Sequence, residues 1–228
     1  MFFYSPRDLL ILLPALLLGL WAQGKVQRAY SAYSAVPTRK GLPARQVAEI
    51  LLDTYGNSPV DIQPIKGQLT DHYNPATKSL GLSQGVYDSS SVSAIAIAAH
   101  EIGHAMQDQS DYSPLRLRSA LVPVINFSSN VYWLFIILGF LLSFDSLILV
   151  GIIFFGLSFV FSLVTLPVEF NASNRALAML GETNLLTAEE LPQAKAVLNA
   201  AALTYVAATF SALAQLLRLL LIRNDRRE

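Results

Sequence analysis

Four long apolar stretches constrain the fold of this 228-residue chain more than any other feature. A helix needs about 20 apolar residues to cross a bilayer. Stretches of that length, or close to it, occupy residues 8–23, 120–142, 146–168 and 196–222. Charged residues make up 14% of the sequence, whereas soluble domains carry roughly 25%. The sequence therefore predicts four transmembrane helices.

The first apolar stretch has two interpretations. Arg7 before it and the small Ala22 near its end are also features of a cleaved secretory signal. A retained anchor is favoured, because the residues after Trp21 match a cleavage site poorly and three further spans follow. We therefore expect a transmembrane anchor over residues 1–23.

The spacing of the spans determines which segments share a compartment. Only Ser143-Phe144-Asp145 separates the second span from the third, so the two form a tight helical hairpin that returns the chain to the side it left. The predicted organisation is an anchor (1–23), an extramembrane part (24–119), a transmembrane hairpin (120–168), a helix and loop on the same side (169–195), and a fourth span with a basic tail (196–228).

Lysines and arginines near the span ends indicate the orientation, because cytoplasmic loops carry an excess of both. The bias favours the side that holds residues 24–119, so we expect a multi-pass protein of the inner cell membrane with that side in the cytoplasm. The residues counted are Lys25, Arg28, Arg39, Lys40, Arg116, Arg118, Arg175 and Lys195 on that side, against Arg7, Arg218, Arg223, Arg226 and Arg227 on the other.

The extramembrane part mixes helical and strand patterns. An apolar stripe predicts a helix over residues 43–56, and an alternating pattern predicts a short strand near 60–65, in which Pro64 requires an edge or an end. Two short strands follow around a turn at 74–77, and a helix then begins at a Ser/Asp cluster and ends near Gln109. The predicted fold class is mainly α, with four transmembrane helices and a small α+β unit at the membrane surface.

Within that last helix the sequence reads His100-Glu101-Ile102-Gly103-His104. Residues four apart lie on one helix face, so the two histidines can offer nitrogens to a single cation, a geometry that suits zinc. Glu101 lies beside such a metal, where a carboxylate can take a proton from metal-bound water. Glycine costs about 1 kcal/mol in a helix interior, so Gly103 indicates a close approach of another part of the chain.

A third ligand must be His, Asp or Glu, because the chain has no cysteine. His72 is one alternative, although a hydrogen-bonded role on the surface is favoured for it. Glu169 is the preferred ligand, because it lies where the third span emerges, on the same side, in a segment with few other charges. An interfacial Glu169 paired with Arg175 remains the alternative interpretation.

The chain resembles the YugP-like family of bacterial membrane-embedded neutral zinc metallopeptidases, distant relatives of the HtpX and Ste24 peptidases. The resemblance rests on residues 69–107, 112–124 and 166–177. It implies a gluzincin-like unit with one zinc ion on His100, His104 and Glu169, and with Glu101 as the catalytic base. The wider relatives often carry Asp four residues after the ligand Glu, where this chain has Ser173. A weaker acceptor, or an acceptor from elsewhere in the chain, must then orient the ligand histidine.

The expected function is hydrolysis of peptide bonds by zinc-activated water, acting on peptides or membrane proteins at the bilayer. The net charge of zero gives no sign of nucleic-acid binding. A predicted edge strand at 78–83 could bind substrate by strand addition. Two rival functions stay open: an intramembrane site-2-type protease, and a non-proteolytic chaperone or assembly factor with a zinc site. The donor that would stabilise the oxyanion is also open among His72, Tyr73, Tyr112 and Arg175.

Overall fold

A computed structural model describes residues 6–226 of the chain. Long helices dominate, and one small sheet accompanies them, which confirms the predicted mainly α fold with a small α+β part. The helices are α1 (Pro6–Ser34), α2 (Ala44–Tyr55), α3 (Gln84–Tyr87), α4 (Val92–Gln109), α5 (Ser113–Leu141), α6 (Asp145–Glu182) and α7 (Leu191–Asp225), and the strands are β1 (Asp61–Ile65), β2 (His72–Asn74) and β3 (Ser79–Ser83).

Four of these helices, α1, α5, α6 and α7, are long and apolar enough to cross a membrane. They cover the four stretches predicted from the sequence, except that α5 ends one residue before the predicted end at 142, and a short connection after Leu141 joins α5 to α6 as the hairpin requires. Each helix extends beyond its apolar stretch. The 38-residue α6 is the longest, and it continues as a single helix past Glu169.

The chain divides into two compact units. The first contains residues up to Gln23, Leu117–Leu166 and the chain from Thr204 onward, and the second contains Gly24–Arg116 and Pro167–Leu203. All residues of the predicted metal site belong to the second unit. Helices α1, α5, α6 and α7 each contribute to both.

Ion pairs connect the helices of the first unit near their charged ends. Arg223 makes two contacts with Asp145, at 2.9 and 2.6 Å, and Arg218 lies 3.3 Å from Asp8 with both side chains largely buried. Many large apolar side chains on the same helices are exposed, Leu10 and Leu141 among them. An exposed apolar surface of this kind is what a bilayer would cover.

The second unit is built around α4, whose apolar residues are almost all buried. Ser91 caps its first turn by accepting a hydrogen bond from the Ala94 amide at 3.3 Å, as the predicted Ser/Asp cluster indicated. On α2, the predicted stripe is the buried face, with Val47 and Leu51 in the same core as α4.

The sheet of the second unit has the strand order β1-β3-β2. β1 runs parallel to β3, and β2 runs antiparallel to it. Pro64 therefore lies in an edge strand, as predicted. The prediction of an edge strand at 78–83 is wrong: β3 is central, because β1 pairs with one of its edges and β2 with the other. Strand addition along residues 78–83 has no free edge to use.

Candidate metal centre

Helices α4 and α6 bring three side chains to one point. Glu169 Oε2 lies 3.3 Å from His100 Nε2 and 3.6 Å from His104 Nε2. One potential ligand atom from each residue falls within 4.8 Å of the others. The two histidines come from successive turns of α4, and the carboxylate is 2% exposed. The histidines and the glutamate chosen from the sequence are thus adjacent in the structure.

The other ring nitrogen of each histidine has its own hydrogen-bond partner. His100 Nδ1 lies 3.1 Å from Ser173 Oγ, and His104 Nδ1 lies 3.0 Å from Gln107 Oε1. A hydrogen-bonded Nδ1 fixes the ring orientation and leaves Nε2 available to a metal. Ser173, at the position where the wider relatives have Asp, is thus the residue that contacts the Nδ1 of His100.

Gln107 is a member of the site that the sequence analysis missed. Its side chain is fully buried, and its Nε2 donates to the Val168 carbonyl at 2.7 Å and to Asn171 Oδ1 at 3.0 Å. Gln107 thus joins His104 to the turn of α6 that carries Glu169. Its position three residues after His104, on the same helix face, was the only signal in the sequence.

Gly103 accounts for the close approach of the two helices. A Cβ at this position would lie 2.4 Å from the carbonyl oxygen of Ala172. The predicted close approach to the backbone is therefore confirmed, and the approaching segment is α6. Gly103 is next to His104 and Ala172 is three residues beyond Glu169, so the close contact lies beside the candidate ligands on both helices.

The electrostatics of the site favour a cation. Burial lowers the pKa of His104, but its hydrogen bond with Glu169 and the charges of Glu101 and Glu169 raise it by more. The net pKa is above the ordinary value for histidine, so the two carboxylates create a negative environment around the ring. Two imidazole nitrogens and a carboxylate oxygen, with no thiolate, form a donor set that fits zinc with a fourth position open to water.

Glu101 lies beside this group and not within it. Its Oε2 accepts a hydrogen bond from the backbone amide of Tyr73 at 2.9 Å, and the residue is 9% exposed. The amide comes from β2, so the sheet is in direct contact with the carboxylate that follows the first histidine. This contact is a second feature that the sequence did not indicate.

The four side chains considered as oxyanion donors differ in their surroundings. His72 is exposed, with Nδ1 2.9 Å from the Thr70 carbonyl oxygen, and it is not part of the group formed by His100, His104 and Glu169. The Tyr73 hydroxyl donates to Asp108 Oδ2 at 2.6 Å. Arg175 donates through Nε to Asn171 at 2.9 Å, and its guanidinium carbon is 6.0 Å from the centroid of the Tyr112 ring.

Comparison with known proteins agrees with this geometry. Residues 8–224 match the model of a family described as "Putative neutral zinc metallopeptidase". The chain is 43% identical over 214 residues to the "Putative membrane protease YugP" of Bacillus subtilis (strain 168), an alignment that covers 94% of this chain and 95% of the relative. No solved structure matches the chain. The chain belongs to this neutral zinc metallopeptidase family, together with YugP.

Proposed function

We propose that the chain is a membrane-bound zinc endopeptidase, with one zinc ion on His100, His104 and Glu169 and with Glu101 as the general base. The observation that carries the proposal is the arrangement of the three ligand side chains. Their ligand atoms lie within 4.8 Å of one another, and each histidine presents Nε2 to the carboxylate because its Nδ1 is already hydrogen-bonded.

The chemistry follows from the position of each side chain. When bound, zinc supplies Lewis acidity, which acidifies a coordinated water and stabilises negative charge on the carbonyl oxygen of the substrate. Glu101 has one oxygen fixed by the Tyr73 amide. Its other oxygen accepts the proton of the attacking water, and the carboxyl group then gives that proton to the leaving amine.

Arg175 is the favoured second donor to the oxyanion, with Tyr112 as the alternative. Arg175 is joined to the site through Asn171, which also accepts a hydrogen bond from Gln107. A guanidinium group with remaining N–H donors is suited to a developing negative charge. The Tyr73 hydroxyl is not proposed as this donor, because its proton is already donated to Asp108.

The rival functions find less support. The motif helix α4 is not one of the four helices long and apolar enough to span a membrane, which argues against an intramembrane site-2-type protease. A structural zinc site would not need Glu101, which argues against a non-proteolytic assembly factor.

We further propose that the chain lies in the inner cell membrane with the metal site facing the cytoplasm. The bias of lysines and arginines supports this orientation. Because the natural sequence has no cysteine, single cysteines in the loop at 56–60 and near residue 224 can report it. Labelling of intact spheroplasts with an impermeant maleimide should modify the second and spare the first. The reverse pattern would contradict the orientation.

Glu101→Gln tests the proposed activity. The variant should keep its zinc, because residue 101 is not a ligand, and should lose cleavage of labelled casein in detergent. Glu49→Gln, an exposed glutamate of α2, is the matched control and should cleave normally. Unchanged cleavage by Glu101→Gln would contradict the proposed role of Glu101 as the general base. An inactive variant that binds substrates can also capture cellular proteins and so identify them.

A further inference from the structure

The Glu101 carboxylate depends on a short strand for its orientation. β2 has three residues, is paired on one side with β3, and turns its other edge towards α4. The Tyr73 amide leaves the sheet at that edge and donates to Glu101 Oε2. A three-residue edge strand is weakly held by its own ladder, so its position must be fixed by other contacts.

Contacts just before β2 and within it fix that position. Before the strand, Asp71 accepts hydrogen bonds from the Ser83 amide at 2.7 Å and from the Ser83 hydroxyl at 2.9 Å. Within the strand, the Tyr73 hydroxyl donates to Asp108 Oδ2 at 2.6 Å. Asp108 is on α4, one turn beyond His104, so this contact ties β2 directly to the helix that carries the motif.

Lys78 completes the second set of contacts. Its ammonium group lies 2.5 Å from the same Asp108 oxygen. The residue has φ of 51°, in the left-handed region that glycine adopts more easily. Lys78 therefore occupies a backbone conformation in the β2–β3 turn that would be less strained for glycine. Its side chain reaches Asp108 on α4.

We propose that Tyr73, Asp108 and Lys78 form a positioning network that holds the β2 backbone against Glu101, so that the Tyr73 amide fixes one carboxylate oxygen and leaves the other for proton transfer. The inference rests on the proposed peptidase function for its catalytic consequence, and on the described contacts alone for its structural part. None of the three residues is in the group of candidate zinc ligands, and in this proposal they act through the Tyr73 amide.

The burial of each contact predicts which substitutions in the network should lower kcat most. Tyr73 is buried and Asp108 is mostly buried, so their charge-assisted hydrogen bond should contribute most. The burial of Tyr73 and the neighbouring Asp108 raise the pKa of its hydroxyl, which keeps it protonated and able to donate. The side chain of Lys78 is 50% exposed, and exposed ion pairs contribute little. Lys78→Met should therefore have a smaller effect than Tyr73→Phe or Asp108→Asn.

The first measurement is catalytic. Tyr73→Phe and Asp108→Asn should each lower kcat for labelled casein by about 10- to 100-fold, with KM and zinc content unchanged, because the ligands and the substrate surface are intact. Lys78→Arg, which keeps the charge, should restore the activity lost in Lys78→Met. Tyr55→Phe is the matched control: it also removes a hydroxyl that donates to a carboxylate, that of Glu182 at 2.7 Å, and it should behave as the wild type.

The second measurement needs no activity. Hydrogen exchange in the zinc-free protein, followed by mass spectrometry, reports the Tyr73 amide through peptides that span β2. Asp108→Asn should accelerate exchange of this amide by about tenfold or more, as expected for the loss of one charge-assisted hydrogen bond. Protection of α4 and β3 should be unchanged.

Either of two results would contradict the proposal that this network positions β2. One is wild-type kcat and wild-type exchange at Tyr73 in both Tyr73→Phe and Asp108→Asn. The other is faster exchange throughout the second unit, which would mean a general loss of stability. A wild-type protein that binds zinc but cleaves no substrate would contradict the peptidase proposal instead, and the exchange measurement would still decide the network.

Discussion

Replacing Gly103 by alanine tests whether the close contact between α4 and α6 sets the distances between the candidate zinc ligands. The added Cβ would lie 2.4 Å from the Ala172 oxygen and 3.0 Å from its carbonyl carbon. Ordinary contact begins at 3.4 Å, and neither contact atom belongs to a flexible side chain. The helices must therefore separate by about 1 Å, because a packed interior has no free space to absorb the methyl group.

Two opposing energies decide the effect on stability. Alanine gains about 1 kcal/mol over glycine in a helix interior, whereas overpacking costs about 1–3 kcal/mol. The zinc-free Gly103→Ala variant should thus lose up to about 2 kcal/mol of unfolding free energy. The effect on the metal should be clearer: a shift of about 1 Å exceeds the tolerance of about 0.2 Å in metal–ligand distances, so zinc affinity should fall by about 10- to 100-fold.

Zinc affinity can be measured by competition with a chromophoric chelator, and stability by thermal unfolding in detergent. Gly156→Ala is the matched control, because a Cβ there meets only Leu216 Cδ1 at 4.0 Å. That variant should bind zinc normally and unfold at the same or a higher temperature. If Gly103→Ala bound zinc as tightly as the wild type and unfolded like Gly156→Ala, the close contact between α4 and α6 would not set the ligand separation.

Three further predictions concern the histidine ligands. Gln107→Leu leaves His104 Nδ1 without its acceptor and should weaken zinc binding by about 10- to 100-fold. Gln109→Leu is the control, because it removes hydrogen bonds to the loop at Asn57 and Ser58 and should not change zinc affinity. Equal zinc affinities of the two variants in a chelator titration would contradict the role of Gln107. Ser173→Ala removes the partner of His100 Nδ1 and should weaken binding about tenfold, as judged by the same titration. Zinc affinity should also fall as the pH drops through the raised pKa of His104, because protons compete with the metal. In the zinc-free protein, protonated His104 should contribute to the free energy of unfolding in full below about pH 6.5, and this contribution should be lost as the pH rises through the raised pKa. A midpoint of unfolding that does not change with pH would contradict this contribution.

The large features of the fold could be predicted from local patterns. Apolar stretches determine the spanning helices, and the serine cluster before Val92 determines where α4 begins, because both signals act within a few residues. The motif and its spacing identified His100, Glu101 and His104 in the same way. Glu169 required a longer argument, in which the expected topology of the spans put a distant carboxylate on the same side as the motif; in the structure this carboxylate lies 3.3 Å from His100 and 3.6 Å from His104.

The remaining features depend on contacts between distant segments. The central position of β3 follows from its parallel pairing with β1, which no local pattern of residues 78–83 reveals. Gln107 and the Tyr73 amide were missed because a buried glutamine and a backbone donor look like any other polar groups in a sequence. Their roles become visible only when α6 and β2 are packed against α4.

The central claim is that one zinc ion lies on His100, His104 and Glu169. X-ray absorption at the zinc edge on purified wild-type protein tests it most directly, together with the zinc content of Glu169→Gln and His104→Ala. We predict one zinc per chain, a first shell of nitrogen and oxygen with two imidazoles, and strongly reduced zinc in both variants. Zinc retained in full by both variants, or a first shell without two imidazoles, would contradict the account.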